Sequence, residues 1–175
     1  MTRRWGQRAK RMKRPGSSAR KTAWATERQD FIFEVGQRIR RGGEEVAHLA
    51  FLFRFPDLDP LAVIPQGPLD TEYWSHGIRQ ATRAGRVDLV VMNTEAWGVE
   101  FTPDSAGAEA AAFASSYKAA GGSFEELPER VELLVCTAVR KDGLSRMVSC
   151  KVTDLEDVTD MGWSREMGGT LSEVF

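Results

Sequence analysis

Cysteine and histidine are scarce in this chain, with two of each among 175 residues. Two cysteines, Cys136 and Cys150, are too few for a disulfide framework. The histidines, His48 and His76, have no CxxC, HExxH or comparable spacing beside them, so a zinc site would need ligands gathered from distant segments. No Gly-rich loop of the GxGxxG or GxxxxGK type is present to cradle a phosphate, and the GxSxG nucleophile motif is absent too. The sequence therefore asks for no metal and no cofactor. No apolar run approaches the ~20 residues that cross a bilayer. The longest such stretches, around Leu49 to Phe55 and Leu89 to Met92, have the length of buried strands. No apolar segment like that of an export signal follows the N-terminal charges, which points away from secretion.

Charge is abundant but unevenly placed. The first twenty-one residues carry nine bases (Arg3, Arg4, Arg8, Lys10, Arg11, Lys13, Arg14, Arg20 and Lys21) and no acid. The rest of the chain holds the other 15 Lys and Arg against all 25 Asp and Glu. A net charge of −1 thus conceals a basic arm on an acidic body. Such asymmetry points to a polyanionic partner for the arm, with nucleic acid the candidate. Cations at this density neutralise phosphates by releasing counterions, and Trp5 and Trp24 offer planes on which bases could stack. In a helical arm, Trp5, Ala9 and Met12 would share one side and Arg4, Arg8 and Arg11 another. A solvated tail, or an organelle import signal, is the open alternative for an Arg-rich, acid-free segment.

Arg14-Pro15-Gly16-Ser17-Ser18 reads as a flexible junction, which predicts an arm over residues 1–21 and one domain over 22–175. Thr26 and Gln29 form a possible capping box, and Phe31, Val35 and Ile39 recur at helical spacing until Gly42-Gly43. Residues 46–55 and 61–64 read as a strand hairpin across Pro56-Asp57-Leu58-Asp59-Pro60. Asp70 can cap a second helix whose Trp74, Ile78 and Ala81 share a face, closed by Gly85. Residues 87–101 read as one long strand or two joined by a kink. Residues 102–129 contain an alanine-rich stretch that is either helical or a mobile insertion. A hairpin follows at 130–153, then an acidic segment, Asp154 to Asp160. Beyond Trp163, residues 171–175 could add a short last strand.

The order α-β-β-α-β-β-β predicts an α+β fold, an antiparallel sheet of about five strands with two or three helices mainly on one face. It is similar to the order in profilin-like and roadblock-like folds, a likeness of topology that carries no function.

The hairpin also fixes an expectation for the thiols. A two-residue type I′ turn at Asp142-Gly143 would set Cys136 opposite Ser149 and Cys150 opposite Val135, on opposite faces of the sheet. A three-residue loop would instead place them across from each other. The first register predicts reduced, unbridged thiols, and with them an intracellular, cytoplasmic protein.

Glu95 is the leading catalytic candidate. On an uninterrupted strand it and Asn93 share the core face with Val87, Leu89, Val91, Trp97, Val99 and Phe101, and a carboxylate there requires a partner or a raised pKa. A β-bulge near Asn93-Thr94 would return it to solvent. Asp88 and His76 follow as candidates. Asp88 ahead of Glu95-Ala96-Trp97 has the outline of a metal-dependent nuclease, but Trp97 stands where such enzymes carry a lysine. Trp74, Trp97 and Trp163 read as packing anchors, or as a protein-binding patch if exposed.

The strand ending Glu95-Ala96-Trp97 and the hairpin beginning Pro128-Glu129-Arg130-Val131-Glu132-Leu133-Leu134, with its Asp142-Gly143, resemble a group of uncharacterised small α+β proteins from bacteria and their phages. The likeness spans residues 27–153 and implies no activity or site. A viral or mobile-element origin is what it suggests. The expected function is a non-enzymatic accessory or regulatory binding module: a body engaging a protein partner, an assembly or another copy, and an arm on nucleic acid. A small metal-dependent hydrolase centred on Glu95 is one alternative. A structural protein of a phage or ribonucleoprotein particle is another.

Overall fold

The structure is a computed structural model that describes residues 17–67, 71–99, 116–117, 119–122, 127 and 130–165. It contains helices α1 (Ser17–Arg41) and α2 (Thr71–Gly85). Its strands are β1 (Leu49–Phe53), β2 (Ala62–Pro65), β3 (Leu89–Val99), β4 (Arg130–Arg140), β5 (Ser145–Lys151) and β6 (Asp154–Asp160). The strands form one six-stranded sheet in the order β2-β1-β3-β4-β5-β6. All five strand pairings within it are antiparallel. The α+β expectation holds, with one strand more than expected. Most of residues 102–129, Asp70 and the tail from 166 lie outside the described residues.

The helices take opposite faces of the sheet, where the expectation set them mainly on one. The cause lies in β1 and β3, whose side chains are apolar at both parities. Phe53, Leu89 and Val91 join α1 in one core cluster with Leu134, Cys136, Ala138, Val148 and Cys150. Ala50, Leu52 and Val90 point the other way, onto Trp74 and Ile78 of α2, with Ala81 packed beside them. A strand apolar on both sides needs cover on both. The α2 face is the one its spacing predicts.

Helix α1 begins at Ser17, ahead of both the expected domain start near Thr22 and the expected cap at Thr26, so Arg20 and Lys21 belong to its first turns. It ends where Gly42-Gly43 stops it: Gly43 has φ +82°, and the Gly42 and Glu44 amides donate to the Arg38 and Ile39 carbonyls. Its buried face carries Trp24, Ala25, Gln29, Ile32, Phe33, Gly36 and Gln37. Phe31, expected inside, is 55% exposed. Close approach to the sheet occurs at Gly36, where a Cβ would stand 2.5 Å from the Asn93 side-chain nitrogen.

Strand β3 is uninterrupted. Its register with β4 runs from Leu89 opposite Arg140 to Val99 opposite Arg130 with no shift, so neither the kink nor the bulge near Asn93-Thr94 forms. The irregularity lies instead between Cys150 and Lys151, in the pairing with β6. The acidic segment 154–160 is that edge strand, and carboxylates along an edge discourage further pairing.

The β4–β5 hairpin departs by one residue from the expected register. The loop is Lys141-Asp142-Gly143, with Gly143 at φ +80° donating to the Arg140 carbonyl and the Arg140 amide donating to that of Leu144. Cys136 therefore faces Val148 and Cys150 faces Leu134. A three-residue loop with a left-handed glycine at its end suits the same Asp-Gly pair that a two-residue turn would. Both thiols thus lie on the α1 face, diagonally offset rather than on opposite faces or directly across, and both are free.

Candidate functional site

Alternation along β3 turns Glu95 toward α1, and the last turns of that helix supply its partner. The Glu95 side chain is 13% exposed and that of Arg40 14%, with 3.4 Å between guanidinium and carboxylate. The Val46 amide donates to the same carboxylate oxygen at 2.8 Å. Arg40 also reaches Glu132 on β4 at 3.4 Å, so one cation is shared by two acids. Glu95 is therefore a part-buried carboxylate satisfied by an arginine and a backbone amide, the arrangement that holds the helix end against the strand.

The other catalytic candidates are elsewhere. Asp88 precedes β3, seven residues from Glu95, which is about 23 Å along an extended strand. Its carboxylate accepts from the Phe55 amide at 3.1 Å. His76 is exposed on α2, across the sheet from Glu95, with its Nε2 2.8 Å from the Gln80 side-chain nitrogen. His48 is exposed and paired with Gln66 at 2.9 Å. Among the described residues, no three His, Cys, Asp or Glu side chains gather where a metal ion could sit.

A second polar network was invisible in the sequence. Gln29, fully buried, donates to the carbonyls of Cys136 at 2.8 Å and Arg146 at 3.0 Å. The Arg146 guanidinium donates to Gln29 at 3.2 Å, to Asp30 at 2.6 Å and to both oxygens of Asp160 at 3.0 and 2.8 Å. The Arg146 hydrogen bonds hold the Asp160 carboxyl below the usual carboxylate range, and Asp160 in turn raises Arg146. The same side of α1 continues through Thr22 to Arg140, Thr26 to Trp163, Gln37 to the Leu155 carbonyl and Arg41 to Glu156. This seam ties α1 to β4, β5, β6 and the segment after them. Thr26 serves it rather than capping the helix. Burial pushes the Cys136 and Cys150 thiols up, which makes both poor nucleophiles.

A concave feature with mixed chemistry lies at the opposite end of α1 from Glu95. Lys21, Trp24, Phe55, Asp88, Arg140, Lys141 and Asp142 line a cleft of about 230 Å³. Trp24 meets Phe55 edge to face, with centroids 5.4 Å apart, and its indole N–H donates to the Asp57 carbonyl at 2.9 Å. At 8% exposure Trp24 is a wall and not the open stacking plane expected of it. The Lys21 ammonium lies 5.7 Å from the Phe55 centroid. Arg140 is held by Asp142 at 2.6 Å and by Thr22, and rests 5.5 Å from the Trp163 ring centre.

Of the nine arm residues, Arg20 and Lys21 stand on α1, whereas Arg3, Arg4, Arg8, Lys10, Arg11, Lys13 and Arg14 lie outside the described residues. Trp74 is buried, as a packing anchor should be. Trp97 is 38% exposed under the Arg130 guanidinium at 5.0 Å. No described helix is long and apolar enough to cross a membrane. No protein-family model, curated protein or solved structure matches the chain.

Proposed function

We propose that this protein is a non-enzymatic binding module that contacts nucleic acid through its basic N-terminal segment and a protein partner or assembly through its body. The observation that carries the first half is the run of nine cations without an acid in residues 1–21, against a remainder with ten more acids than bases. Charge of that density binds polyanions through counterion release and needs no base contacts to do so. The fold is consistent with it, since α1 begins at Ser17 and joins the charged segment directly to the body.

The second half draws on exposed apolar side chains. Phe31 on α1, Leu58 and Leu61 between β1 and β2, and Val63 on the edge strand all lie open. Arg28, one turn from Phe31, donates to the Leu58 carbonyl at 3.1 Å and so fixes helix and loop together. Apolar groups on a rigid support are what a protein interface requires.

The hydrolase alternative loses its favoured residue, because Glu95 is occupied by Arg40 and the Val46 amide, away from Asp88 and His76. Salt titration of nucleic-acid binding, with and without residues 1–16, tests the proposal. The truncation stops at 16 because Lys21 and Thr22 make contacts to the body.

A further inference from the structure

We propose that the cleft bounded by Lys21, Phe55 and Lys141 receives one nucleotide of a single-stranded nucleic acid, its base against the Phe55 ring and its phosphate between the two lysine ammonium groups. This rests on the nucleic-acid reading above and gives it a site on the folded body.

The chemistry of the lining sorts into committed and available groups. Asp142 is held by Arg140 at 2.6 Å, and Asp88 accepts the Phe55 amide at 3.1 Å. Arg140 is fixed between Asp142, Thr22 and the Trp163 ring and shapes the wall. Trp24 is locked perpendicular to Phe55 with its N–H bonded to Asp57. Lys21 and Lys141 remain without a carboxylate partner in an ion pair among the described residues. The Lys21 ammonium lies 5.7 Å from the centre of the half-buried Phe55 ring, a cation–π contact that an incoming base would replace as the ammonium turns to its phosphate. An aromatic ring flanked by cations is the combination that sequence-tolerant single-strand binding uses.

Size and position agree. A cleft of about 230 Å³ falls below the ~300–1,000 Å³ of pockets that enclose whole drug-sized ligands, which suits a single unit of a chain that continues past the opening. Lys21 lies one helical turn from Ser17, where the chain bearing the other arm charges joins α1. Duplex DNA or RNA keeps its bases stacked inside and cannot offer one to Phe55.

The test uses the full chain and fluorescence anisotropy with labelled oligo(dT) and oligo(U) single strands, and with a duplex of equal length. Phe55→Leu removes the ring and keeps an apolar side chain; Lys141→Gln removes one charge from an exposed turn and keeps the test available if the first variant folds poorly. Phe55→Leu should weaken single-strand binding about fivefold or more and leave duplex binding unchanged. Lys141→Gln should flatten the dependence of log K on log salt by about 0.7 on single strands. Variants that bind single strands as the wild type does, while the wild type stays salt-sensitive, would overturn the cleft and spare the arm. Equal losses on single strands and duplex would also overturn it. A wild-type chain that binds neither probe removes both.

Discussion

Gln29 and Arg146 hold each other from both ends: the Gln29 amide donates to the Arg146 carbonyl at 3.0 Å, and the Arg146 guanidinium donates back to Gln29 at 3.2 Å. This pair is the centre of the seam that sets which face of α1 meets the sheet. Gln29→Leu takes a partner from the Arg146 guanidinium and from the Cys136 and Arg146 carbonyls, and should cost about 1–3 kcal/mol in urea denaturation. A variant as stable as the wild type would remove the seam from the account.

The rotation of α1 gives a paired prediction. Ile32→Ala should destabilise by about 2–5 kcal/mol, as for a large-to-small change in a core. Phe31→Ala, one residue away and exposed, should stay within about 0.5 kcal/mol. The reverse ranking would place Phe31 in the core.

That pair also marks how far the sequence could be read. The helix was legible in Phe31, Val35 and Ile39 and in the Gly42-Gly43 stop, but its facing was not. Hydrophobic periodicity scores Gln29, Gln37, Thr22 and Thr26 as solvent-facing, whereas here they bond to sheet carbonyls and side chains. The edge strand β6 was read only as an acidic segment because its pairing uses backbone, and its carboxylates serve Arg41 and Arg146. The Asp142-Gly143 turn was visible, and its length was not, since both loops accept a glycine with positive φ. For Glu95, strand alternation gave the burial correctly. Its partner Arg40 was out of reach, being 55 residues earlier and on another element.

The Asp160–Arg146 contact makes acid sensitivity predictable. The folded-state carboxyl titrates below its unfolded value of about 3.9, so its contribution is complete above that pH and disappears as pH falls through the lower folded value. Asp160→Asn should therefore be less stable than wild type at pH 7 and converge with it toward pH 2. A stability gap unchanged over that range, followed by urea titration, contradicts the assignment.

Both thiols are free and buried. Reaction of the native protein with a disulfide reagent should be slow, and denaturation without reductant should release two reactive groups. Recovery of none would mean a disulfide that the diagonal placement of Cys136 and Cys150 does not provide.

Glu95→Gln should leave no catalytic defect, because the carboxylate is engaged in holding Arg40 and Val46. Wild type and mutant are compared for hydrolysis of nucleic acids and phosphoesters with Mg²⁺, with Mn²⁺ and without metal. A metal-dependent activity that vanishes in a folded mutant would restore the enzyme reading.

The proposed nucleic-acid affinity comes mostly from the charge of residues 1–16, and the decisive measurement is binding of labelled single-stranded and duplex DNA and RNA between about 50 and 200 mM salt. The full chain and a chain starting at Ser17 are compared, since that truncation removes seven of the nine cations and leaves α1 whole. The full chain should lose affinity steeply with salt, by about 0.7 in slope for each phosphate neutralised on a single strand, and the truncated chain should bind far more weakly with a flatter slope. An affinity that neither truncation nor salt changes contradicts the account.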